Sequence, residues 1–469
     1  MKIGTEAADP RLAGNVKRFT WFRILFNARY YYPVFTILYL DYGLTLEQFA
    51  ILNVVWALTI VIAEVPSGAL ADIFGRKPLL VFAAILMFIE MGLLACVPIG
   101  SALLFPVFLL NRVCSGLAEA AASGADEALA YDSLKALGRE SEWSALLERT
   151  ARSLSIAFFF TMIIGALAYD AQFIERLKNL IGIQTPLPKE TIIRFPILLS
   201  WIHASLLLIL VAGFHEPLKI QKSGTKGTIR QQLIAPFQQI GTAAKWTFSH
   251  RFVLFVIIAA LALDSVARQF VVLASEYYRA IEIPTALFGF IGAGMALMGM
   301  VTAKLSRQMV SRNSPFANYG LLSVALIIGL AGLGLAIPHW GVLFAIPVFA
   351  MMGMVQYLSS FYINREVDSA HRATVLSFRG LALNLGLGIA SLLYTAWIAF
   401  LKQGQATLSG ANLTENVFVR SLAAFPFYYI ALGILILILG KRFIRRKELC
   451  FTVPEPDPAQ PHTASGNDR

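Results

Sequence analysis

The sequence predicts an all-α membrane protein with 12 transmembrane helices in two pseudo-symmetric halves of six. Three observations carry this reading. Only 14% of the 469 residues are charged and 57% are hydrophobic, so a soluble globule of this length would lack the polar surface to cover itself. Apolar runs of about 20 residues, the length that crosses a bilayer as a helix, recur along the chain. Lys and Arg gather in every second loop, as they do on the cytoplasmic side of membrane proteins.

The runs fall at 18–41, 47–71, 77–98, 102–125, 150–170, 194–214, 254–279, 286–306, 317–337, 341–363, 374–401 and 418–440. Barrel strands are excluded, because they are about ten residues long and alternate in polarity. Pro33, Pro66, Pro106, Pro196 and Pro347 lie within runs, where membrane helices tolerate them as kinks. With the N-terminus inside, 27 Lys and Arg fall on the inner side and 7 on the outer, so both termini are expected in the cytoplasm. The net charge of +11 reads the same way, not as a footprint for nucleic acid. Cys96, Cys114 and Cys450 are scattered without CxxC spacing, so neither a disulfide framework nor a metal site is expected. The polar, basic first twenty residues do not read as a cleavable signal peptide.

The longest break splits the runs six and six. The expected units are an N-terminal half at 1–214, a cytoplasmic linker with an amphipathic piece at 215–253, a C-terminal half at 254–447 and a disordered tail at 448–469. Residues 39–49 align without a gap on 278–288, each joining an odd run to an even one on the outer side, as internal repeats do. That register sets Arg29 of the first run opposite Arg268 of the seventh.

Between the second and third runs, Gly68, Asp72, Gly75, Arg76 and Lys77 match the G-x-x-x-D-R-x-G-R-R/K signature of the major facilitator superfamily, with Ile73 in place of its usual Arg. Arg112 and Gly116 resemble the Arg-x-x-x-Gly pattern of many proton-coupled members. Asn364, Arg365 and 372–377 resemble a loop of bacterial members, and 123–132 is similar to a bacterial subgroup with an SGxDEALxYD stretch. The Gly-Pro-rich signature of drug antiporters is missing from the fifth run. The resemblance spans nearly the whole chain. It implies a monomeric secondary active transporter of a small solute, working by alternating access in a bacterial inner membrane. Protons are the implied coupling ion, export the favoured direction, and no cofactor is implied.

Ionisable groups inside a bilayer are costly and are functional candidates by default. In the fourth run Arg112, Glu119 and Asp126 recur every seven residues with Ser115 and Ser123 beside them, one polar stripe on a helix. The stripe lines either a water-filled path or an ion-pair seam. Glu119, Asp126, Asp264 and Glu64 are the candidate proton carriers. Asp264 and Arg268 stand at i, i+4, a spacing that allows an intrahelical pair. Alternatively, Arg268 and Arg29 form a clamp of two guanidiniums on a small organic anion. Arg112, Asn27, Tyr30, Gln356 and Tyr357 are the other candidates for substrate contact, or else packing. Glu90 and His203 read as satisfied internal polar groups.

The turn at 68–77 reads as a gating latch between the halves. Gly68 and Gly75 permit close approach, Asp72 faces the N-terminus of the eleventh run, and Arg76, beside Lys77, reaches Asp126 or Asp132. Other classes fare worse. The six histidines form no HExxH cluster for a membrane-embedded enzyme, no Walker pattern supports a pump, and no added domain supports a sensor.

Overall fold

The computed structural model describes residues 11–217, 237–238, 241–242, 244–367, 369–404 and 411–443. Among these, the regular structure is helical throughout, and 11 helices are long and apolar enough to cross a membrane. The run missing from that number is the first, because its helix is interrupted. Leu12–Asn27 ends at Ala28, and the chain resumes as a 3-10 turn Tyr32–Val34 and a helix Phe35–Asp41. Pro33 opens the resumed piece, since it cannot continue a helix across its own missing N–H.

Irregular backbone inside a membrane persists only where neighbours satisfy it. Here the Tyr30 N–H donates to Ser200 Oγ at 3.0 Å, and His203 Nδ1 donates to the Ala28 carbonyl at 3.2 Å. Gly165 brings the fifth segment against the break, and a Cβ there would collide with the Tyr30 carbonyl.

The second to sixth segments are Leu46–Phe74, Arg76–Cys96, Leu104–Ala122 with Ala125–Ala136, Trp143–Tyr169 and Phe195–Ala212. The seventh to twelfth are Arg251–Ala280, Thr285–Arg312, Pro315–Gly334, Ala345–Glu366, Ser369–Gln403, and Ala411–Ala423 with Phe425–Phe443. Local chemistry sets several ends. Thr45 and Gln48 form a reciprocal capping box on the second segment. Gly75, at φ +95°, ends that helix and lets the next begin at Arg76.

The third segment packs on the fourth and sixth, and the first on the sixth. The seventh packs on the tenth, eleventh and twelfth, and the ninth on the tenth. These two groups meet where the second segment lies along the eleventh and the fifth along the eighth. The spanning window of the seventh segment is 72% buried and that of the fifth only 17%, so the seventh lies at the centre and the fifth at the periphery. The 448–469 tail, most of the 215–253 linker and the Asp72 side chain lie outside the described residues.

Candidate functional site

Between the two groups lies a cavity of about 410 Å³, within the range of small-molecule sites, about 300–1,000 Å³. The first, second, fourth and seventh segments supply its polar wall: Arg29, Asn53, Arg112, Ser115, Glu119, Arg268 and Ser275.

The three arginines are held in different ways. Arg29 projects from the unwound stretch and is ion-paired with Glu90 of the third segment, the two side chains being 3% and 0% exposed. It also donates to the Tyr31 hydroxyl at 3.2 Å. A guanidinium this deep needs a bonded counter-charge, and Glu90 is what makes the position tenable. Arg268 is bound to Asp264, one turn back, at 2.5 Å and donates to Asn384 Oδ1 of the eleventh segment at 3.1 Å.

Arg112 has no carboxylate in ion-pair reach among the described residues. It donates to Asn53 Oδ1 at 3.1 Å, and its guanidinium lies 5.4 and 5.3 Å from the ring centroids of Phe35 and Trp56. Its Nε is buried without a partner among the described residues. Glu119 faces the same cavity, seven residues and about 10 Å farther along the helix, likewise with no ion pair among the described residues. Asn53, Phe35 and Trp56 had no signal in the sequence, since none breaks the apolar pattern as a charge does.

Other expected site residues lie elsewhere. The Asn27 amide donates to the Arg23 carbonyl of its own helix at 2.8 Å. The Tyr30 hydroxyl meets His203 Nε2 at 3.1 Å. Because Nδ1 donates to Ala28, Nε2 is the accepting nitrogen of this ring. These two residues, Gln356 and Tyr357 are not among those lining the cavity. Asp126 leaves the stripe for a clear reason. The helix ends at Ala122 and Gly124 takes a left-handed φ of +73°, so the seven-residue register stops there. Asp126 instead pairs with Arg23 at 3.0 Å and accepts from the Glu127 N–H at 2.7 Å. Glu64 lies 3.5 Å from the Ser123 hydroxyl, outside the cavity lining.

At the 68–77 turn, Arg76 is ion-paired with Asp132. Glu216, just past the sixth segment, accepts the backbone N–H groups of Arg76 and Lys77 at 3.3 and 2.9 Å, while Lys77 Nζ donates to the Ala212 carbonyl at 3.2 Å. A carboxylate on the first N–H groups of a helix satisfies orphan donors and opposes the helix dipole. The Cβ position of Gly68 meets open space. In this structure Arg76 takes Asp132, one of the two acids expected for it, and Arg76 and Lys77 tie the third segment to the fourth and sixth, within one group.

Polar links between the groups gather at the opposite end, beside the 1–2 and 7–8 connections. Asp41 accepts from Arg279 at 2.8 Å and from the Tyr169 hydroxyl at 2.7 Å, with Lys189 Nζ 3.3 Å away. Lys402 meets Glu47 at 2.7 Å, and Asp170 accepts the Ala286 N–H at 3.1 Å. Ser275 Oγ accepts the N–H groups of Thr36 and Ile37 at 2.9 and 3.2 Å. Sequence reasoning missed this clasp. Its signal was the alignment of 39–49 with 278–288, which sets Asp41 and Arg279 at nearly equivalent points of two related connections.

A profile of the Major Facilitator Superfamily matches residues 22–391. The chain belongs to this superfamily. As a superfamily member it is an integral, multi-pass membrane transporter. Its fold is similar to the crystal structure of nucleoside transporter NupG, at TM-score 0.69 and 12% identity, with 92% of this chain and 99% of that chain covered. It is also similar to a bacterial homolog of the human lysosomal transporter Spinster, inward-facing and unoccupied, at 0.67 and 14%, covering 95% and 100%. A D-xylose-proton symporter follows at 0.65 and 15%, covering 92% and 98%. At such identities the likeness is one of fold. No curated protein matches the chain in sequence.

Proposed function

We propose that this transporter moves a small polar solute by alternating access, coupled to protons, across a bacterial inner membrane, with both termini in the cytoplasm. The observation that carries the reading is a cavity between two helix groups in which Arg112 and Glu119 lack ion-pair partners among the described residues. Arg112 offers donors to an acceptor on the solute, while Phe35 and Trp56 offer flat apolar faces. Glu119, with no cation bonded to it among the described residues, is the acid placed to exchange a proton with the cavity. The likeness to transporters named for nucleosides and D-xylose favours a hydroxyl-bearing solute. Export, as the direction, rests on the family resemblance alone.

With the N-terminus inside, the clasp lies on the outer face and the cavity belongs to an inward-facing state. The units 1–214 and 254–447 then rock about the cavity as a monomer, joined by 215–253. The stretch 123–132, similar to that of a bacterial subgroup, carries Asp126 paired with Arg23 and Asp132 paired with Arg76. A clamp of Arg29 and Arg268 on an organic anion is the weaker reading, because each guanidinium already holds an acid.

The test begins with a thermal-shift screen of the purified protein against nucleosides, sugars and small organic acids, since a ligand of the folded state raises its stability. The solute found is then followed in proteoliposomes under an imposed pH gradient. Gradient-dependent accumulation that Glu119→Gln abolishes supports the reading. Equal movement with and without the gradient overturns the coupling, and the absence of any transported solute overturns the function.

A further inference from the structure

A second cavity of about 410 Å³ opens on the far side of the seventh segment, between it, the eleventh and the twelfth. Its origin is Pro426. The twelfth segment stops at Ala423 and restarts at Phe425, because proline removes a helix hydrogen bond and crowds the preceding turn. Phe427 and Tyr428 on the restarted piece form one wall of the cleft, and Leu393 and Trp397 of the eleventh segment form the other. Phe427 is 73% exposed and Leu393 49%, so the rim is continuous with the apolar surface that the helix bundle turns toward lipid.

The lining is mainly apolar and aromatic, and it holds two donors that are unmet among the described residues. Among the described residues, Gln269 Nε2 and Trp397 Nε1 are both buried without a hydrogen-bond partner. Gln269 is 3% exposed, and its Oε1 accepts from Ser391 Oγ at 2.7 Å. The amide NH₂ is therefore the end left for the cleft. A buried donor without a partner is costly, and hydrocarbon tails supply no acceptor. The cleft thus matches a molecule that carries acceptor oxygens on an apolar chain and arrives through the bilayer.

We propose that this cleft binds a glycerolipid of the surrounding membrane, one acyl chain lying along the aromatic wall and ester carbonyl oxygens accepting from Gln269 and Trp397. The site backs onto the solute cavity. Asn384 of the eleventh segment holds Arg268 and, seven residues on, Ser391 holds Gln269. A bound lipid therefore braces the pairing of the seventh and eleventh segments directly behind the transport site.

The experiment places the full chain in liposomes containing a glycerolipid with a diazirine on one acyl chain, and locates the cross-links by peptide mass spectrometry. Labelling at 393–397 and 425–428 should exceed that at the lipid-facing Leu321 and Ile328 of the ninth segment by about five-fold or more. Gln269→Leu combined with Trp397→Phe should bring it down to the ninth-segment level without changing the latter. Ala390→Phe fills the cleft without touching either donor and should do the same, which keeps the test decisive if the double variant folds poorly. Equal labelling of the two faces in the unaltered protein, or labelling unmoved by Ala390→Phe, overturns the proposal. So does displacement of the label by an ester-free apolar solute as effectively as by unlabelled glycerolipid, which would assign the cleft to such solutes instead.

Discussion

Asp41 and Arg279 bind each other at 2.8 Å across the two helix groups, although 238 positions separate them in the chain. Asp41 also takes the Tyr169 hydroxyl, so three segments converge on one carboxylate. A cavity sealed here opens on this side only if these bonds break. Asp41→Asn should therefore favour the state open at this end. Arg279 is 40% exposed, so solvent screening limits the ion pair to about 1 kcal/mol, a shift of about five-fold. Distances between spin labels on the two connections measure it, and raised salt should mimic the substitution in part.

Glu119→Gln should separate exchange from gradient-driven accumulation. The variant removes the proton site and leaves Arg112 and its aromatic neighbours in place. Counterflow of the solute should persist while accumulation under a pH gradient falls about ten-fold or more. Equal loss of both activities would place Glu119 in solute binding instead.

Arg112→Lys should behave much like Arg112→Gln. The guanidinium lies over Phe35 and Trp56 while donating to Asn53, and an ammonium is a point charge that cannot do both. Either variant should weaken solute binding by about ten-fold or more in a thermal-shift titration, with little change in the stability of the solute-free protein.

Glu90→Gln strands the Arg29 charge in a buried position and should cost about 3–5 kcal/mol of stability, as should Arg29→Gln. Arg29→Met with Glu90→Leu removes both charges and should recover most of that loss, read as the thermal midpoint of the purified protein. If the double variant is stable and still binds solute, the pair is structural. If it is stable and binds none, Arg29 belongs to the solute site.

Gly165→Ala should destabilise by about 1–3 kcal/mol, because a methyl group there meets the Tyr30 carbonyl. The break at 28–31 would have to move, and Arg29 with it. A midpoint unchanged by Gly165→Ala would show that the fifth segment does not press on the break.

The medium, the helical class and the family turn were legible in the sequence because they depend on composition and short spacing. Sparse charge required lipid, and apolar runs of spanning length required helices. The turn containing Gly75, Arg76 and Lys77 named the superfamily. The intramembrane charges Arg29, Arg112, Glu119 and Arg268 stood out for the same reason, each interrupting an apolar run.

What each charge faces was decided only by tertiary structure. Arg29 and Glu90 are 61 residues apart, and helical periodicity says which residues share a face, not which helix that face will meet. The seven-residue stripe through Arg112 and Glu119 failed at Asp126 because one left-handed glycine ended the register. The interruption of the first segment is a collective outcome as well. Pro33 permits it, but Gly165, Ser200 and His203 on two other segments satisfy the exposed backbone and make it stable. Composition thus determined that charges would lie in the membrane, and packing determined that Arg112 and Glu119 reach the cavity with no acid or cation bonded to them among the described residues.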